Sequence, residues 1–72
     1  MMTEAQRLVL NRLRLGKAAF PFIIEGLNES MKLTVYDALQ TLLHEGKIAK
    51  EPDGCATWYV YALTKAGREA LQ

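Results

Sequence analysis

Apolar residues recur at helical spacing between positions 34 and 48. At 100° per residue, one arc of the helix is apolar and consists of Val35, Ala38, Leu39, Leu42 and Leu43. The opposite arc is polar and carries Asp37, Gln40, Thr41 and His44. Gly46 fits the left-handed conformation that ends a helix. The pattern predicts a helix from Thr34 to Glu45 that packs with one face and exposes the other.

The chain after Gly46 has the pattern of a β-hairpin followed by a helix. Residues 47–50 favour a first strand, and Glu51-Pro52-Asp53-Gly54 is a tight-turn sequence. A β-prone run from Ala56 to Ala62 predicts the second strand. In it, Tyr59, Tyr61 and Leu63 share one face that is expected to pack inward, whereas Trp58 and Val60 point the other way. Thr64 is the expected cap of a last helix, from Lys65 to Leu71.

The N-terminal part predicts two further helices. Thr3 and Gln6 form a capping-box pattern, so helix one is expected from about Thr3 to Leu15, before Gly16. Residues 17–19 favour a short strand, and Pro21 suits the first turn of a short second helix. That helix is expected to supply core volume through Phe20, Phe22, Ile23, Ile24 and Leu27. Residues 28–30 form either a turn or the cap of the next helix, so the third helix starts either near Ser30 or at Thr34.

Two motifs in the C-terminal half resemble a known family. They read T-V-x-x-x-L-x-x-L-x-x-E-G-x-I and Y-x-L-T-x-x-G-x-x-x-L, and they are carried by Thr34, Val35, Leu39, Leu42, Glu45, Gly46, Ile48, Tyr61, Leu63, Thr64, Gly67 and Leu71. This pattern is similar to the winged helix-turn-helix domains of small MarR-like and PadR-like transcription regulators. The resemblance implies one α+β domain over residues 1–72, with three helices, an antiparallel wing of two to three strands and a short C-terminal helix. Because these positions pack or cap, they mark a scaffold that can host different activities.

The resemblance implies that the helix from Thr34 enters the major groove of double-stranded DNA. Gln40 can pair with adenine, and Thr34 and Thr41 can meet phosphate or a thymine methyl group. The other candidate DNA contacts are Lys32, Tyr36, His44, Lys47 and Lys50. Each of these residues also fits an ordinary solvated surface. Asp37 opposes close phosphate approach, and the helix lacks the arginine that most often reads guanine.

The charge of the chain is unevenly distributed. Residues 1–17 hold four basic side chains and one carboxylate, whereas residues 18–46 hold one basic side chain and four carboxylates. The segment expected to meet DNA is therefore acidic, which predicts weak DNA binding by a monomer. Arginines of helix one often neighbour the groove-facing helix in similar domains, so Arg7, Arg12 and Arg14 could offset this acidity.

Helix one has more apolar residues than one core needs. Leu8 and Leu15 lie on a side that also holds Arg12, away from Ala5, Val9 and Leu13. Either the domain covers this helix on both sides, or Leu8, Arg12 and Leu15 belong to a homodimer contact. Trp58, expected to point outward, either covers the sheet or joins such an interface.

Other functional classes find little support in the composition. The single cysteine, Cys55, rules out an internal disulfide and suggests a reducing compartment. No signal-peptide pattern or membrane-length apolar run is evident, so a cytoplasmic protein without membrane contact is expected. One histidine, one cysteine and no glycine-rich phosphate loop predict neither enzyme, metal site nor cofactor.

Two functional hypotheses follow. The first is a small winged-helix transcription regulator that binds duplex DNA through the helix from Thr34 to Glu45, as a dimer whose two half-site contacts add. The second is a winged-helix interaction or dimerisation module with little DNA affinity, which uses Leu8, Leu15 and Trp58.

Overall fold

Four helices and a three-stranded antiparallel sheet make up the described part of the chain, so the protein has an α+β fold. The computed structural model describes residues 2–52 and 59–71. In chain order the elements are α1 (Glu4–Arg14), β1 (Ala18–Ala19), α2 (Phe20–Ile23), α3 (Glu29–His44), β2 (Ile48–Pro52), β3 (Tyr59–Leu63) and α4 (Lys65–Ala70). Within these residues, no helix combines the length and apolar character needed to cross a membrane.

The helix starts follow from side-chain caps. The Thr3 hydroxyl accepts a 3.1 Å hydrogen bond from the Gln6 amide, and the Gln6 side chain accepts one from the Thr3 amide, which confirms the predicted capping box. The start of α3 is decided by Asn28, whose side-chain oxygen accepts a 2.8 Å bond from the Met31 amide. The alternative start at Thr34 is wrong, and the one near Ser30 is correct to within a residue. Thr34 lies inside the helix and donates its hydroxyl to the Ser30 carbonyl oxygen.

The end of α3 is set by Gly46, as predicted. Gly46 has φ +76°, a conformation that costs little only for glycine. The amides of Gly46 and Lys47 donate to the carbonyl oxygens of Leu43 and Leu42, which is the Schellman arrangement. This turn directs the chain straight into β2.

The sheet has the strand order β1-β3-β2, and both pairings are antiparallel. The predicted hairpin is confirmed in the pairing of β2 with β3, which runs from Ile48 opposite Leu63 to Pro52 opposite Tyr59. Glu51 was expected to open the turn, but it pairs with Val60 inside the ladder, as Pro52 does with Tyr59. A proline is tolerated there because β2 is an edge strand of the sheet. The remaining turn positions, Asp53 and Gly54, lie outside the described residues, as do Ala56 to Trp58.

One core joins α1, α2, α3 and the sheet. Its largest fully buried side chains are Val9, Leu10, Ile23, Val35, Leu39 and Leu42. Val35, Ala38, Leu39 and Leu42 confirm the predicted packing arc of α3, and Leu43 is half-buried at its margin. Leu10 is buried together with Ala5, Val9 and Leu13, which widens the packing arc of α1, whereas Leu15 on the other side of the helix is exposed.

Two aromatic residues expected in the interior lie at the surface instead. Phe22 is 64% exposed, because the four-residue α2 buries only Ile23. Tyr59 is 49% exposed, since it occupies the end of β3 beyond the core. Tyr61, two residues further along the same strand face, is buried as predicted, and Leu63 is half-buried against the core.

Candidate nucleic-acid interface

The outer face of α3 is exposed along its length. While its inner arc packs against α1 and β2, the solvent side carries six of the residues singled out from the sequence: Thr34, Tyr36, Asp37, Gln40, Thr41 and His44. Leu33, on the same side, is 73% exposed. The predicted exposure of the polar arc is confirmed, and Leu33 adds an apolar side chain to that face.

One flank of this surface is acidic. Thr34, Asp37 and Thr41 line a groove of about 330 Å³ together with Glu4 and other residues of the first turn of α1. Two carboxylates on one groove repel a phosphate group. Thr34 and Thr41 lie in this groove, and its negative charge opposes the phosphate contacts that were expected of them.

The other flank lies toward α2. The ring of Tyr36 meets the ring of Phe20 edge to face, with centroids 6.0 Å apart and an angle of 88° between the planes. Tyr36 is about half exposed. This contact packs the Tyr36 ring against α2 at the border of the exposed face.

Gln40 and His44 occupy the middle of the exposed face. They are four residues apart on α3 and therefore lie one above the other on its surface. Both are exposed. Both therefore lie on the side of α3 opposite its buried arc.

The predicted cationic contacts are mostly paired with carboxylates. Lys32 Nζ lies 3.2 Å from Glu29 Oε1, and Lys47 Nζ lies 3.2 Å from Glu45 Oε1. Lys50 instead places its ammonium 4.4 Å from the centroid of the Tyr59 ring. Ion pairs on a surface contribute little and exchange readily, so these lysines can still contact phosphate, but their local net charge is close to zero.

The arginines of α1 do not line the grooves beside α3. Arg12 donates from Nη1 to the Phe22 carbonyl oxygen at 3.4 Å, on the α2 side. Arg14 lines a separate groove together with Lys17 and Arg68. No sequence pattern predicted this basic cluster, because residues 17 and 68 are far apart in the chain. It forms because β1 pairs with β3 and α4 follows β3 directly.

Three of the four predicted interface residues line one groove. Leu8, Arg12 and Leu15 surround a space of about 550 Å³ between α1 and α2. Leu15 is 88% exposed, and Phe22, which was expected in the core, forms the opposite wall. The fourth predicted residue, Trp58, lies outside the described residues.

Comparison with known proteins identifies no family for this chain. No protein-family model matches the chain, and no curated protein is significantly similar to it. In the parts of the chain that the structure covers, no three histidine, cysteine, aspartate or glutamate side chains are grouped closely enough to hold a metal ion.

Proposed function

We propose that this protein is a winged-helix transcription regulator that binds duplex DNA. In this proposal α3 enters the major groove and the β2–β3 hairpin is the wing. The order helix, strand, helix, helix, strand, strand and the sheet order β1-β3-β2 support this assignment, because a winged helix has the same succession. The motif residues Gly46 and Thr64 occupy the helix ends that the family resemblance implies.

The observation that carries the proposal is the exposed Gln40–His44 ridge on α3. A glutamine amide can donate to and accept from adenine at once, which is a base contact that specifies sequence. His44 can bond to phosphate or to a base edge from the next turn. The apolar Leu33, on the same side of α3, suits contact with a thymine methyl group.

Affinity is expected to be modest for one protomer. Asp37 and Glu4 both line the groove between α3 and α1, and Lys32 and Lys47 are each paired with a carboxylate. Phosphate neutralisation supplies most non-specific affinity, so few free cations mean weak binding. A homodimer on two half-sites compensates, because two weak contacts then act together.

Fluorescence anisotropy with labelled mixed-sequence duplexes tests the proposal. Binding is expected at about 50 mM salt and should weaken steeply by about 200 mM, as counterion release requires. A flat anisotropy signal at the lower salt, with folded protein in excess, contradicts DNA binding.

The second candidate is a homodimerisation module with little DNA affinity. It is favoured by the groove of Leu8, Arg12, Leu15 and Phe22, where two large apolar side chains are mainly solvent-exposed. Such side chains around one concavity are typical of a protein–protein contact. DNA binding separates the two candidates, because the regulator needs the α3 surface for duplex DNA, whereas dimerisation through this groove is compatible with both.

A further inference from the structure

A basic groove lies at the junction of α1, the β1 edge and α4. Three elements each contribute one cation: Arg14 from the last turn of α1, Lys17 from the residues before β1, and Arg68 from α4. The groove has a volume of about 270 Å³, and Gly16 and Ala62 form part of its wall. Small residues there leave the basic side chains as its main functional groups.

The carboxylate content of this groove is low. Glu51 is the acidic side chain among the described residues that line it, and its Oε2 lies 3.1 Å from Lys17 Nζ. Within residues 2–52 and 59–71, neither Arg14 nor Arg68 forms an ion pair. Among the described residues, the groove therefore holds two guanidinium groups that form no ion pair with a carboxylate.

A purely structural role explains each arginine only separately. Arg14 and Arg68 lie in the last turns of their helices, where a positive charge interacts favourably with the helix dipole. That role does not require both of them to share a groove with Lys17, and like charges around one space repel each other. An anion in the groove would convert this repulsion into attraction.

We propose that the basic groove holds a backbone phosphate of DNA. The inference rests on the proposed function, since it adds a second contact to the same ligand. Guanidinium groups bind phosphate oxygens in a bidentate fashion, so Arg14 and Arg68 are the principal contacts, and Lys17 adds a point charge steadied by Glu51. The contact reads no base, and it fixes the position of the protein on the duplex.

The test compares two double variants by DNA titration at several salt concentrations. Arg14→Gln with Arg68→Gln removes two charges from the groove. The control, Arg7→Gln with Lys65→Gln, removes two exposed charges from the same two helices at positions that do not line it. Thermal unfolding followed by circular dichroism checks that both variants are folded. If the groove double variant is unfolded, the single variant Arg68→Gln replaces it in the titration.

The groove variant is expected to make the slope of log K against log salt less negative by about 0.9, the loss of one phosphate contact. The control slope should match that of the wild type. Equal slopes for wild type and groove variant overturn the proposal and leave DNA binding intact. Equal reductions in both variants overturn it too, because they indicate diffuse attraction.

Two further outcomes separate the sources of the phosphate. If the wild type binds no duplex at low salt, the groove proposal and the proposed function both fail. Inorganic phosphate added at constant ionic strength should weaken wild-type DNA binding only slightly, since a duplex offers many linked phosphates. If inorganic phosphate alone binds the wild type but not the groove variant, while both bind DNA with equal salt slopes, the groove binds a free phosphate and the assignment to the DNA backbone is wrong.

Discussion

The hydroxyl of Thr64 donates a 2.6 Å hydrogen bond to the carbonyl oxygen of Gly46. The Thr64 hydroxyl oxygen in turn accepts a 3.2 Å bond from the Gly67 amide and so caps α4. The Thr64 amide in turn donates to the Lys47 carbonyl oxygen at 3.1 Å. The glycine that ends α3 and the threonine that begins α4 therefore form one corner, which ties the end of the hairpin back to its start.

Replacing Thr64 with valine should lower the free energy of unfolding by about 1–2 kcal/mol, because valine keeps the shape and loses the cap. Urea denaturation measures this loss. Thr64→Ser keeps the hydroxyl and should stay close to the wild type. Thr41→Val, at an exposed position within α3, is the control for the threonine-to-valine change itself. A Thr64→Val protein as stable as wild type would show that this corner contributes nothing.

Gly67 is required by close approach to the α3–β2 turn. A Cβ atom built on Gly67 would overlap the Lys47 carbonyl oxygen and press on the Leu63 side chain. Gly67→Ala should therefore destabilise the protein by about 1–3 kcal/mol, although alanine is the better helix former. Ala66→Ser, at the exposed neighbouring position, should change stability by less than about 0.5 kcal/mol. Equal urea midpoints for these two variants would contradict the close contact.

Alanine substitutions at Asn28 and Thr34 test which of these residues starts α3. Asn28→Ala should cost about 1 kcal/mol, because the Met31 amide loses its acceptor. Thr34→Ala should be neutral within about 0.5 kcal/mol, since Thr34 is exposed and inside the helix. Thermal unfolding of the two variants compares them directly, and the reverse order of stabilities would place the helix start at Thr34.

Gln40→Ala tests sequence reading by α3. If Gln40 pairs with adenine, the variant should lose about 1–3 kcal/mol of discrimination at one base position and retain its affinity for other sequences. Competition titrations with single-base variants of the preferred duplex measure this. Lys50→Gln is the companion variant, expected to weaken all sequences alike. A uniform loss for Gln40→Ala would assign it a phosphate contact instead.

Leu15→Ser combined with Phe22→Ser tests the groove between α1 and α2. If two copies associate there, the wild type should have the mass of a dimer in light scattering and the variant the mass of a monomer. Leu33→Ser, also highly exposed but on α3, should remain dimeric. Both groove side chains are exposed, so the variant should fold normally. A monomeric wild type at high concentration, or a dimeric variant, excludes this interface.

Features set by neighbours in the chain were readable from the sequence. Three such features are the capping box at Thr3, the glycine stop at Gly46 and the apolar arc of α3. Each depends on residues a few positions apart, whose contacts are set by helical geometry. The start of α3 was harder to predict, because Asn28 and Thr34 are both acceptable caps in isolation. In the structure the Asn28 side chain caps the Met31 amide, and residues 29–33 form the first turns of the helix.

The candidate sites were only partly readable. Periodicity identified the exposed face of α3, but it could not reveal that Thr34 and Thr41 face Glu4 across a groove. Phe22 looked like core volume by composition, and its exposure follows from how little of the short α2 can be buried. Arg14, Lys17 and Arg68 are too distant in the chain for any spacing rule to connect them.

The sequence by itself therefore determined the α+β class, the order of the elements and the packing face of the long helix. Those properties arise from hydrogen bonds and side-chain periods that act over a few residues. Only the tertiary structure decided which charges share a groove and which apolar side chains stay at the surface. Such groupings depend on strand register and helix docking, which place residues from opposite ends of the chain side by side.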